Sequence, residues 1–103
     1  MKAVYIDIFG NKVRLTEERW QHIIEREELI EQEKKIEETL AFPESIKRSN
    51  YDNEVYLYYK FFPITPVTSK YLVVIAKVTD VDAFILSSFF TDKIKTGETL
   101  WQQ

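Results

Sequence analysis

The chain holds one histidine, His22, and four residues later an arginine, Arg26. Imidazole is the side chain whose ordinary pKa allows proton transfer in either direction near neutral pH. A guanidinium beside it offers a planar fork of donors to a phosphate or another anion. Together they are the parts of a general acid–base site working next to a bound anion. At about 100° per residue, His22 lies across the first helix from Trp20, and Arg26 follows one turn on along the same side, with Arg19 close by. The pair therefore stands off the apolar stripe. An ordinary solvated helix face has the same spacing, and spacing alone favours that reading.

Three other places carry groups of the right type. Tyr56, Tyr58 and Lys60 alternate onto one face of a predicted strand, where hydroxyl and ammonium could hold a phosphate or a base could stack. Tyrosine and lysine are also good half-exposed strand residues, which again is the reading that spacing favours. Ser87 and Ser88, in an otherwise apolar strand, could donate to an anion or satisfy neighbouring backbone. Lys47 and Arg48 add positive charge to the same sheet.

The elements that must position these groups read clearly. Residues 3–9 alternate with strand period, Gly10-Asn11 is a turn dipeptide, and residues 12–15 resume extended structure, so a short hairpin is expected. Thr16 is a helix N-cap with Glu17 and Glu18 in the first turn, although Arg19 takes the place a capping box would give to Glu or Gln. The first helix is expected over residues 16–27, with Trp20, Ile23 and Ile24 as its apolar stripe. The second is expected over residues 30–42, with Ile36 and Leu40 inward and Pro43 as its stop. Strands follow at residues 45–50, 54–62, 71–79 and 83–91, separated by turns at 51–53 and 80–82 and a two-proline loop at 63–69. The tail is polar until Leu100 and Trp101, which are expected to dock back. The sum is a single α+β domain spanning 1–103: a hairpin and two helices packed on an antiparallel meander. The sheet face away from the helices carries too many aromatics for plain solvent surface.

Composition excludes several functions. With no cysteine there is no disulfide, thiolate metal site or cysteine nucleophile. One histidine argues against a histidine-rich zinc site, and no metal or cofactor is expected. A net charge of −3 is not that of a domain built mainly for duplex nucleic acid, so nucleic-acid binding would need a local patch. No membrane span is expected, nor a secretory leader, since Lys2 precedes an alternating segment; the cytoplasm is the default location.

Three stretches carry a family resemblance: Arg14-Leu15-Thr16-x-x-Arg19-Trp20-x-His22-Ile23-x-x-Arg26; Ile36-x-x-Thr39-Leu40-x-x-Pro43-x-x-Ile46; and the apolar strand from Tyr71 to Val74 followed by Ser87-Ser88-Phe89-Phe90-Thr91. Over roughly Val13 to Thr91 the chain resembles the small phage-associated nuclease domains of the barnase/RelE-like superfamily. The resemblance implies a metal-independent, toxin-like ribonuclease with helices on an antiparallel sheet. His22 matches the helix histidine, Arg26 the arginine after it, and Thr91 the hydroxyl closing the last strand. Lys60 and Arg48 match by position. These four besides Arg48 form the expected catalytic set, and Arg48, Tyr58 and Ser88 the expected substrate-binding set. RNA is the implied substrate, and a protein inhibitor or antitoxin an implied partner. Glu27 and Glu28 depart from the pattern, standing where such domains often have a second histidine and a proline. That departure and the negative net charge point the other way, to a catalytically inactive interaction or homodimerisation domain of the same fold.

Overall fold

Asp7 closes the first hairpin. In the computed structural model, which describes residues 1–103, its carboxylate accepts the backbone N–H of Phe9 at 3.0 Å and of Asn11 at 2.8 Å, plus the Asn11 side-chain amide at 3.0 Å. Gly10 takes the left-handed conformation the turn needs, with φ +86°. The turn joins β1 (Ala3–Ile6) to β2 (Lys12–Leu15) in an antiparallel pair.

Thr16 then caps α1 (Glu17–Ile23) as expected, its hydroxyl oxygen accepting the Arg19 N–H at 3.1 Å. The helix is shorter than its pattern predicts. It ends at Ile23, and the chain turns through a single 3-10 turn (Glu27–Leu29) before α2 (Glu33–Ala41). Residues 24–32 therefore form a corner rather than the ends of two helices. The reason is Leu29, which is fully buried and pulls the corner down into the core. Glu27 and Glu28 show no apolar period to resist that. Trp20, Ile23, Ile36 and Leu40 are buried, so the predicted helical register holds.

The second half forms β3 (Ser45–Arg48), β4 (Val55–Phe62), β5 (Lys70–Val78) and β6 (Ala83–Thr91), the expected meander. The tail adds β7 (Thr99–Gln102), so Leu100 and Trp101 do dock. The seven strands make one sheet in the order β1-β2-β6-β5-β4-β3-β7. All pairs are antiparallel except β2 with β6, which meet in parallel only at Arg14 and Phe84. Beyond that point α1 lies beside β6. No helix is long and apolar enough to cross a membrane.

Both helices pack on one face of the sheet. There Trp20, Ile23, Leu29, Ile36 and Leu40 meet Tyr58, Phe62, Leu72 and Val74 in one core. On the back face a smaller cluster, Leu57, Tyr59 and Val73, is joined by Tyr71, Ile75, Phe89 and Ile94. The segment from β6 to β7 crosses this back face. Ile94 packs down onto it, and the Lys95 N–H donates to the Tyr59 hydroxyl at 3.2 Å.

Gly97 seats the end of that crossing. A Cβ there would lie 2.6 Å from the Arg48 carbonyl oxygen, a backbone atom that cannot step aside. The adjoining bond, Arg48 N–H to the Glu98 carbonyl at 2.9 Å, begins the β3–β7 pairing. Gly97→Ala is expected to lift β7 off the edge while the core stays folded. Amide exchange should accelerate in residues 99–102 and remain slow in β4 and β5; unchanged protection of β7 would show that the close approach is not required.

Acid should weaken the fold by a stated route. Burial alone would raise the Glu33 carboxyl, but bonds from the Tyr5 hydroxyl and Lys2 outweigh it and hold the group below its ordinary range. The Glu54 N–H and then Lys77 lower Asp52, and the Arg14 guanidinium lowers Asp82. A carboxyl depressed in the folded state adds stability above its unfolded pKa, about 4. That stability is lost as pH falls through the lower folded value. The melting temperature should accordingly be level near neutrality and fall below about pH 4, where the linkage acts.

Candidate functional site

The structure does not bring the expected site residues together: Tyr58, Lys60, Ser88 and Arg48 lie on the helix side of the sheet, Arg26 and Thr91 reach the back face, and His22 is exposed on α1. Tyr58 and Lys60 share a face, as their alternation requires, but it is the face under the helices. Tyr58 is fully buried and its hydroxyl donates to Asp7 at 2.6 Å. Burial first, and the Asp7 carboxylate second, push its phenol well above the ordinary range, so it stays a protonated donor. Lys60 reaches the end of α2, donating to the Phe42 carbonyl at 3.0 Å with Glu38 at 3.9 Å. A cation at that position satisfies the helix C-terminus and its dipole. Ser88 is fully buried on the same face, its hydroxyl donating to the Val73 carbonyl at 2.8 Å.

Arg48 lies on this side too, at the other end of β4. It stacks over Tyr56 and bonds to Glu98 at 3.0 Å and to the Asn53 carbonyl at 2.5 Å. Its strand neighbour Tyr56 is four residues from Lys60, about 13 Å along a strand. Tyr58, Lys60, Ser88 and Arg48 thus hold the fold together. Their residue types gave no sign of this, because alternation shows that two residues share a face and not which face the helices cover.

Arg26 and Thr91 reach the back face of the sheet, while His22 stays on α1 in the helix layer. His22 is exposed near the end of α1, with the Glu25 carboxylate 3.7 Å from its Nδ1. That leaves Nε2 as the outward nitrogen. Arg26 reaches around the α1 side of β6 and lays its guanidinium over the Phe89 ring, 5.1 Å from the centroid. Phe89 belongs to the back-face cluster. Thr91, two residues on, points to the same face. Its hydroxyl turns the chain into the back-face crossing, with the Lys93 N–H and carbonyl both at 3.3 Å. Arg26 makes no ion pair, although Glu25, Glu27 and Glu28 surround it in sequence.

A β-bulge sets this arrangement. Ile75 pairs with Ser87, whereas Ala76 pairs with Ile85, so Leu86 is the extra residue in β6. Before the bulge Ala83 and Ile85 face the helices; after it Ser88 and Phe90 do. Phe89 and Thr91 are thereby sent to the back face, where Arg26 meets them. Two-residue alternation carried unbroken along β6 would place them with Ile85.

Charge is divided in the same sense. Residues 16–43, which hold both helices, carry nine carboxylates and four Lys or Arg, whereas the rest of the chain carries eight carboxylates and ten Lys or Arg. Of those eight, Asp7 is spent inside the hairpin, Glu44 accepts the Phe61 N–H at 3.2 Å and five are ion-paired, leaving only Asp80. Lys12, Lys47, Lys93 and Lys95 have no carboxylate within ion-pair distance. The net −3 thus conceals an acidic helix layer on a basic sheet.

Two shallow cavities, about 490 and 480 Å³, flank Asn11, Thr79 and Asp80 at the hairpin end, away from His22 and Arg26. Arg14 in the first is already held by Asp82 at 2.5 Å. No protein-family model, curated protein or solved structure matches the chain.

Proposed function

We propose that the domain is a metal-independent ribonuclease of the barnase/RelE-like kind, acting at the edge of β6 beside the end of α1. One observation carries this reading: the Arg26 guanidinium rests on Phe89 at the back face of the sheet, just past the end of the helix that carries an exposed imidazole. A cation and an aromatic ring therefore adjoin one surface, and an acid–base group stands four residues before that cation in the chain. The α+β order, two helices on one face of an antiparallel sheet, is also what the resemblance implies.

In this reading His22 Nε2 takes the proton of a ribose 2′-hydroxyl, and the oxygen attacks the adjacent phosphorus. The bond to the 5′-oxygen breaks, and that oxygen takes a proton from water, since no second imidazole is present. Arg26 stabilises the negative charge that builds on the phosphate. Glu25, 3.7 Å from Nδ1, adds a negative charge on that side of the ring. The products end in a 2′,3′-cyclic phosphate and a 5′-hydroxyl. A protein inhibitor or antitoxin is the partner such a toxin-like enzyme requires. Incubating the purified chain with single-stranded RNA in EDTA tests this directly. Ends of that chemistry are expected; diverse RNAs left intact, after any co-purifying inhibitor is removed, would sink it.

The second reading is a non-catalytic interaction or homodimerisation domain. Val4 and Ile6 favour it, being exposed on β1, a strand whose outer edge is unpaired. Sedimentation over a range of concentrations separates the two: a monomer throughout counts against self-association.

A further inference from the structure

We infer that the back face of the sheet is a docking surface for single-stranded nucleic acid, with bases stacked on Phe61 and Tyr71 and the phosphate backbone drawn along Lys93 and Lys95. This deepens the ribonuclease reading, and rests on it for the direction in which the strand runs toward Arg26. The binding surface itself stands on separate observations.

The first is continuity. Phe61, Tyr71 and Thr91 are direct cross-strand neighbours on β4, β5 and β6, and Phe89 under Arg26 is diagonal to Tyr71. Adjacent strands lie about 4.8 Å apart, so the rings span roughly the rise of two or three unstacked bases. Phe61 and Tyr71 already form an edge-on pair, with centroids 5.3 Å apart. Phe61 is 40% exposed, although an aromatic on a packed sheet is usually covered.

The second observation is charge. Ile94 packs onto the sheet, while Lys93 and Lys95 on either side of it are exposed and unpaired. The crossing segment thus lays two free cations over the aromatic face. Opposite, the helix layer is acidic and would repel a polyanion. A duplex hides its ring faces inside the stack, and a flat row of aromatics offers it nothing to read. An unpaired strand exposes both rings and phosphates, and base-on-aromatic stacking tolerates any base.

The test uses fluorescence anisotropy with a labelled octamer of 2′-O-methyl uridine, which lacks the attacking hydroxyl and stays whole. The full chain should bind it, with affinity falling steeply as salt rises, and should bind its duplex with oligoadenosine at least about tenfold more weakly. Reversing the charge at both Lys93→Glu and Lys95→Glu should cost about tenfold or more, whereas Lys34→Glu on the acidic layer should change little. Phe61→Ala should weaken binding about tenfold and Phe61→Trp restore it, which separates stacking from folding. No binding, preference for the duplex, or equal loss at Lys34 and at Lys93 with Lys95 would overturn the inference, as would self-association that covers the face. Binding without RNA cleavage would remove the ribonuclease reading and leave this surface. Cleavage that ignores the Phe61 and lysine variants would do the reverse.

Discussion

His22→Ala should slow RNA cleavage by about 10²-fold or more, the usual scale for deleting a group that moves a proton in the transition state. At about 1.4 kcal/mol per decade, that is close to 2.7 kcal/mol of barrier. The fold should not change, because His22 is exposed near a helix end and its one ion-pair partner, Glu25, is exposed too. Arg26→Ala should also slow the reaction, since the proposed reading makes the guanidinium held on Phe89 the cation that stabilises the phosphate. Lys34→Ala, on the outer side of α2, should leave the rate alone. Single-turnover assays in EDTA separate these outcomes. A His22→Ala protein as active as its parent would reduce the lone histidine to a surface residue.

Asp7→Ala should cost about 3 kcal/mol or more of stability, since bonds to a charged group are worth about 1.5–3 kcal/mol each and orphaned buried donors cost more still. Four donors converge on this carboxylate: the Phe9 and Asn11 amides, the Asn11 side chain and the Tyr58 hydroxyl. Asp7 is 4% exposed and Tyr58 not at all, so water cannot replace the lost acceptor without opening the core. For a domain near 100 residues, that is a drop in melting temperature of about 12 °C or more. Tyr58→Phe removes one donor and leaves the other three, and should cost only about 1 kcal/mol. Thermal and denaturant unfolding should rank the two variants in that order. An Asp7→Ala protein within about 1 kcal/mol of the parent would mean the hairpin does not need its carboxylate.

Local pattern accounts for most of the elements. Gly10-Asn11, the Thr16 cap and Pro43 each act through neighbouring backbone and stand where their chemistry requires, whereas the alternation over residues 3–9 gives a strand only to Ile6, because Asp7 bonds back to the Phe9 and Asn11 amides and starts the turn early. The helix ends are less legible. Leu29 and Ile30 stand side by side in a charged run, with no period to say which turns inward, and tertiary packing buries Leu29 and leaves Ile30 exposed. The candidate site shows the same divide. His22 was legible as an exposed residue of α1, but the helical turn that the spacing promised between it and Arg26 is not made, because α1 ends at Ile23 and Arg26 takes extended backbone. Three decisive features are nonlocal: the helices cover the Tyr58–Lys60 face, β7 pairs with β3 across half the chain, and Leu86 bulges out of β6. A single extra residue there reverses the facing of everything after it, and no residue type marks it. Whether Phe89 lies beneath the helices or beneath Arg26 therefore depends on how β6 pairs with β5, which is settled by packing between strands rather than by the order of residues within one.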